Sequence, residues 1–123
     1  MRRWILATSL ALSACAAHAD GLQNKWRLEI SGNAESAGQI VVQVAPEKGE
    51  PIRATTQVAA GRAENAVARD IGTALQMVAS NRYSVEVDDG EDVLVKKREG
   101  ERDFAVTVIE NTVQGVRVDI DAE

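Results

Sequence analysis

Apolar and polar residues alternate along most of the chain, and a period of two is the pattern of half-buried β-strands. The alternation is clear at residues 26–30, 40–44 and 52–58 in the first half of the chain. It resumes in the second half at residues 83–87, 93–95, 104–108 and 116–120. The sequence therefore predicts about six to seven short strands.

Turn-forming residues separate these segments. Residues 45–51 contain Pro46, Gly49 and Pro51, which predict a hairpin between the second and third strands. Residues 88–92 and 98–102 each have a central Gly, the residue that most easily adopts the positive φ of a tight hairpin turn. Strands joined by such short turns pair mainly antiparallel.

One segment, residues 62–80, changes to a period near 3.6 and predicts a single helix. Gly61 and Glu64 mark its start, and Asn81 marks its end. A glycine inside a helix lowers its stability, so Gly72 predicts that a strand approaches the helix closely at this position. The predicted fold is α+β, a mainly antiparallel sheet with the helix packed on one face. The apolar stripe of the helix comprises Ala63, Val67, Ile71, Ala74, Leu75 and Val78.

The first 19 residues have the pattern of a secretory signal peptide. Two arginines precede an apolar run, residues 4–14, that is shorter than the about 20 residues needed to span a bilayer. Small residues at positions 17 and 19 predict cleavage after Ala19. Residues 12–15 also resemble a bacterial lipobox, in which the leader ends at Ala14 and Cys15 is lipidated. Both processing sites stay open at this point.

Residues 20–123 are expected to form one domain. After cleavage at Ala19 this domain would be acidic. It would carry 12 Lys and Arg against 19 Asp and Glu, a formal net charge of −7. This acidic balance disfavours binding to nucleic acid and to anionic lipid, both of which require basic residues. Attachment to a membrane would then depend on a lipid anchor at Cys15. The one His and the one Cys lie in the leader, so we expect no cofactor and no enzymatic site built on those side chains.

Residues 40–109 combine a predicted hairpin, an Ala/Leu-rich helix and Val-rich strands. The hairpin leads through residues 58–61 into the helix, and residues 83–85, 93–95 and 104–108 follow as strands. This order resembles the small β-β-α-β-β module of phage tail and virion proteins and of some bacterial surface proteins. The resemblance implies a structural or assembly role, and it transfers no functional residues.

Two charged segments are candidate sites. Asp88, Asp89, Glu91 and Asp92 could offer oxygen ligands to a cation such as Ca²⁺, although their spacing lacks the ligand ladder of a calcium loop, and a solvated turn explains them better. The second segment is basic. It is either a recognition patch for an anionic partner or the solvated end of a hairpin, and its residues are Lys96, Lys97, Arg98 and Arg102.

Two functions are consistent with these features. The first is a non-enzymatic binding or assembly module, exported to the periplasm or cell surface or held as an outer-membrane lipoprotein. Its partner would be another envelope or surface protein, or a second copy of itself. The alternative is a small inhibitor or accessory factor of an envelope enzyme, acting through a hairpin loop such as residues 88–92.

Processing is directly testable. Mass spectrometry of the protein from membrane and soluble fractions is expected to find either Asp20 or a lipidated Cys15 at the mature N-terminus. A Cys15→Ser variant should be exported normally in the first case and should lose membrane retention in the second. Recovery of protein that still begins with Met1 would contradict both.

Overall fold

Seven strands and one helix make up residues 21–123, the part of the chain that the computed structural model describes. This architecture confirms the predicted α+β fold, whereas the leader and Cys15 lie outside the described residues. In chain order the elements are β1 (Lys25–Ser31), β2 (Gly38–Pro46), β3 (Ile52–Val58), α1 (Glu64–Ala79), β4 (Tyr83–Asp88), β5 (Asp92–Lys97), β6 (Phe104–Asn111) and β7 (Arg117–Ala122).

The strands divide between two antiparallel sheets. One sheet has four strands in the order β4-β5-β1-β7, and the other has three in the order β3-β2-β6. Two of the predicted hairpins are confirmed, because β2 pairs with β3 and β4 pairs with β5. The alternation of apolar and polar residues shows which residues of a strand are buried. It does not show which strands pair, so it could not distinguish one sheet from two.

The third predicted hairpin, across residues 98–102, is wrong. β5 lies between β4 and β1, so both of its edges are already paired, and β6 pairs with β2 in the other sheet. Gly100 does adopt a positive φ of 91°, as the turn prediction required. The segment thus turns sharply, but it carries the chain from one sheet to the other.

The inner faces of the two sheets form one core. Trp26, Leu28 and Ile30 of β1 are buried, as is Phe104 of β6. The indole Nε1 of Trp26 donates a buried hydrogen bond of 2.8 Å to the carbonyl oxygen of Phe104. Tyr83 of β4 packs its ring 4.9 Å from the ring of Phe104, between centroids. Aromatic contacts therefore connect the sheets where few backbone bonds do.

Helix α1 packs against β3 and β4, the outermost strands of the two sheets, and so closes the side between them. A Cβ atom added at Gly72 would lie 2.8 Å from Cγ2 of Val87, which confirms the predicted close approach of a strand. Ala63 is exposed, so its place on the stripe was wrong. The buried helix residues are Val67, Ala68, Ile71, Gly72, Leu75 and Ala79.

The start of α1 is held by a distant loop. Asn33 accepts a hydrogen bond of 3.0 Å from the backbone N–H of Glu64, and the Glu64 side chain accepts one of 3.0 Å from the N–H of Gly32. Ala63 precedes the helix and has no polar side chain to cap it. The helix ends at Ala79, and Ser80, whose φ is 57°, follows it as the C-cap one residue before the predicted Asn81.

The helix stripe is expected to dominate stability. Leu75 is 1% exposed and Met77 is 80% exposed, although both belong to α1. Leu75→Ala should lower the free energy of unfolding by about 2–5 kcal/mol through lost burial and cavity formation. Met77→Ala should change it by less than about 0.5 kcal/mol. Urea unfolding followed by circular dichroism measures both, and equal effects would mean that the helix buries a different face.

Candidate functional site

The candidate site lies on the outer face of the four-stranded sheet. Side chains alternate between the two faces of a strand, so the residues that flank Trp26, Leu28, Val93 and Val95 point away from the core. This outer face brings the acidic turn and part of the basic run onto one surface. On the two central strands it comprises Lys25, Arg27 and Glu29 of β1, and Asp92, Leu94 and Lys96 of β5.

Arg27 organises the acidic end of this face. Its Nη1 donates a hydrogen bond to Oδ2 of Asp92 and lies 3.9 Å from Oδ2 of Asp88. Its Nε lies 2.9 Å from Oε2 of Glu123. The hydrogen bond to Glu123 is the largest cause that raises the pKa of Arg27 above its ordinary value, followed among the favourable contacts by the bond to Asp92. The same guanidinium lowers the pKa of the Glu123 carboxyl.

The acidic turn is therefore part of an ion-pair cluster. Asp88 and Asp92 face Arg27, while Asp89 is exposed at the tip of the turn and Glu91 is half-buried. Asp89 and Gly90 both adopt positive φ, as this tight turn requires. Within residues 21–123 no three acidic, His or Cys side chains are arranged to hold a metal ion. Oδ1 of Asp92 is buried without a hydrogen-bond partner.

The residues of the basic run have different partners. Lys97 lies 3.0 Å from Asp103, and Arg102 lies 3.4 Å from Glu47. Arg98 donates from Nε to the carbonyl oxygen of Tyr83 at 3.4 Å. Of the four predicted residues, Lys96 is the one that projects from the outer face of the sheet.

Lys96 has an unexpected neighbour, Lys25, directly opposite on β1. The N–H of Lys97 donates to the carbonyl of Asn24 at 3.1 Å, which marks those two residues as a hydrogen-bonded pair. The adjacent pair, Lys25 and Lys96, is then of the closer type, in which the Cα atoms are about 4.5 Å apart. Among the ion pairs of the described residues, none involves either lysine.

A surface recess adjoins the two lysines. It has a volume of about 270 Å³ and is lined by Asn24, Lys25, Lys96 and Lys97; we call it the lysine recess. Sequence reasoning missed Lys25, because nothing local in the sequence indicates that β1 pairs with β5. A second, smaller recess of about 80 Å³ shares both lysines, and its lining residues are Lys25, Ser84, Glu86, Leu94 and Lys96.

Comparison with known proteins adds no functional assignment for this surface. A scan against protein-family models and a search of curated proteins both found no match for the chain. Over residues 21–123, no helix is long and apolar enough to cross a membrane. The function is therefore inferred from the charges and geometry of the outer face.

The contact between Arg27 and Glu123 predicts a pH dependence. Because the pKa of the Glu123 carboxyl is lowered, the ionised carboxylate contributes fully to stability at a pH above 4.5, the ordinary pKa of the group. This contribution is lost as the pH falls through the lowered pKa. A Glu123→Gln variant should melt below the wild type at about pH 7, and the gap in melting temperature should close as the pH falls through the lowered pKa of Glu123. Thermal melts of both proteins measure the gap, and a constant gap would contradict this origin.

Proposed function

We propose that the protein is a non-enzymatic binding and assembly module, exported to the periplasm or cell surface, whose lysine recess takes up an acidic protein surface. The observation that carries this proposal is the cross-strand pair of Lys25 and Lys96. Like charges directly opposite each other destabilise a sheet. No described Asp or Glu side chain lies within ion-pair distance of either lysine, although Lys25 helps to lower the pKa of Glu123 from farther away and Glu86 lines the smaller recess with both lysines. An acidic ligand would relieve this repulsion.

The chemistry of the recess suits carboxylates. Each ammonium group offers three hydrogen-bond donors and no acceptor. The volume of about 270 Å³ lies just below the range of about 300–1,000 Å³ that is typical of small-molecule pockets. The recess thus favours a few side-chain carboxylates over a large cofactor. A non-enzymatic role is also supported by composition, because residues 20–123 contain neither His nor Cys.

The inhibitor alternative is less well supported by the shape of the acidic turn. An inhibitory loop projects into its target, whereas this turn lies against α1. A Cβ atom added at Gly90 would lie 3.0 Å from the Asn65 side chain. Asp88 and Asp92 are engaged by Arg27, so they offer less free charge to a target enzyme.

Binding of an acidic probe tests the proposal. A fluorescent poly-glutamate peptide is expected to bind the mature protein at low salt, and Lys96→Glu should weaken the affinity about tenfold or more, because it removes one cation and adds a repulsive charge. Lys48→Glu is the matched control, since Lys48 is exposed in the β2–β3 turn and belongs to neither recess. Fluorescence anisotropy gives the dissociation constants.

Two results would reject the lysine recess as the binding site. One is equal loss of affinity in Lys96→Glu and Lys48→Glu, which would indicate a response to net charge. The other is absence of binding to the peptide at any salt concentration.

A further inference from the structure

We propose that the acidic end of the outer face, opposite the lysine recess, is a second contact surface, which binds arginine side chains of a partner protein. This inference goes beyond the proposed function, because it concerns a different part of the face and a ligand of the opposite charge. It is carried by the register of the four strands and by one buried carboxylate oxygen.

One register row of the four-stranded sheet consists of acidic residues. Directly paired residues of antiparallel strands lie on the same face of a sheet. The registers of β4 with β5, of β5 with β1 and of β1 with β7 place one acid of each strand in a single row. Neighbouring strands are about 4.8 Å apart, so the row crosses the sheet over about 14 Å. We call it the acidic row; in strand order it comprises Asp88, Asp92, Glu29 and Asp119.

The protein compensates the charge of the acidic row only in part. Arg27 binds Asp92. Arg117 lies 3.5 Å from Asp119, but its side chain is 76% exposed, and such surface pairs contribute little to stability. Glu29 is exposed and belongs to none of the ion pairs among the described residues. The row therefore keeps negative charge that a cationic partner can neutralise.

A buried oxygen within the acidic row lacks a hydrogen-bond donor. The Asp92 side chain is only 10% exposed. Its Oδ2 accepts a hydrogen bond from Arg27, whereas its Oδ1 has no partner within residues 21–123. Buried polar atoms normally have a partner. Asp88 and Glu29 flank Asp92 in the row, so a cation that enters between their side chains would supply the missing donor.

The chemistry of the acidic row favours a guanidinium group. Arginine offers five N–H donors in a planar fork and binds carboxylates with two parallel hydrogen bonds. It is also more weakly hydrated than lysine, which suits a partly buried acceptor such as Asp92. A metal ion is a poorer fit, since no three acidic, His or Cys side chains in the described part of the chain are arranged to hold one.

The shape of the acidic row favours a protein segment over a small molecule. Neither of the two recesses on the outer face includes a residue of the row, and small ligands bind mostly in concave pockets. In an extended segment, side chains on one side are two residues, or about 6.6 Å, apart. Three arginines at alternate positions therefore span about 13 Å, close to the length of the row. The expected ligand is an extended segment with this alternation, lying across the strands.

Binding of an arginine peptide tests the acidic row. A fluorescent Arg-Ser-Arg-Ser-Arg peptide with blocked termini should bind the purified mature protein at low salt, and high salt should weaken the binding. Glu29→Gln should weaken the affinity about fivefold or more, because it removes an unpaired carboxylate with little change of shape. Asp119→Asn should weaken it in the same direction, since Asp119 belongs to the same row. Fluorescence anisotropy gives the dissociation constants.

Glu50→Gln is the matched control, because it makes the same change of charge in the exposed β2–β3 turn, away from the outer face. It should change the affinity by less than about twofold. Circular dichroism and urea unfolding of each variant separate lost binding from lost folding. The two substitutions in the row lie on different strands, so each checks the other.

The inference is overturned by any of three results. They are absence of binding to the arginine peptide at low salt, equal loss of affinity in Glu29→Gln and Glu50→Gln, and folded row variants that bind as the wild type does. The proposed function is judged separately with the poly-glutamate peptide. Glu29→Gln should not weaken binding of that peptide, and Lys96→Glu should not weaken binding of the arginine peptide, so either site can fail alone.

Discussion

The position of the two sheets relative to each other depends on Trp26. Its indole N–H reaches the carbonyl of Phe104 inside the core, at the point where Gln23 and Phe104 also exchange backbone hydrogen bonds. No other strand of one sheet pairs with a strand of the other within residues 21–123. A buried polar atom left without a partner is costly, so this hydrogen bond fixes the position of one sheet on the other as well as stabilising the core.

The same strand creates the outer face. β1 lies inside its sheet, with β5 on one side and β7 on the other. Alternate residues of β1 are therefore buried in the core, and the residues between them lie on the charged outer face. Arg27 lies between Trp26 and Leu28 and contacts acids from two distant parts of the chain, Asp88 and Asp92 of one turn and Glu123. Packing on one face and charge pairing on the other thus come from adjacent residues of one strand.

The positions of the strands and of the helix could be predicted from the sequence, but most of the pairing between strands could not. Burial alternates along β1, so Trp26, Leu28 and Ile30 identify a strand without knowledge of its neighbours. Pairing between distant strands leaves no such local trace. The pair of Lys25 and Lys96 unites opposite halves of the chain, and Lys25 alone reads as an ordinary exposed residue. The partners of the basic run were missed for the same reason: Lys97 contacts Asp103, Arg98 contacts the carbonyl of Tyr83, and Arg102 contacts Glu47.

The cap of α1 has a consequence for the order in which the chain folds. A 16-residue helix with a central glycine and no side-chain cap of its own is marginal when isolated. Its first turn is completed by Gly32 and Asn33, about thirty positions earlier in the chain. The helix therefore becomes persistent only after a long loop has closed, and such high contact order places folding towards the slow end, about milliseconds to seconds, for a domain of this size.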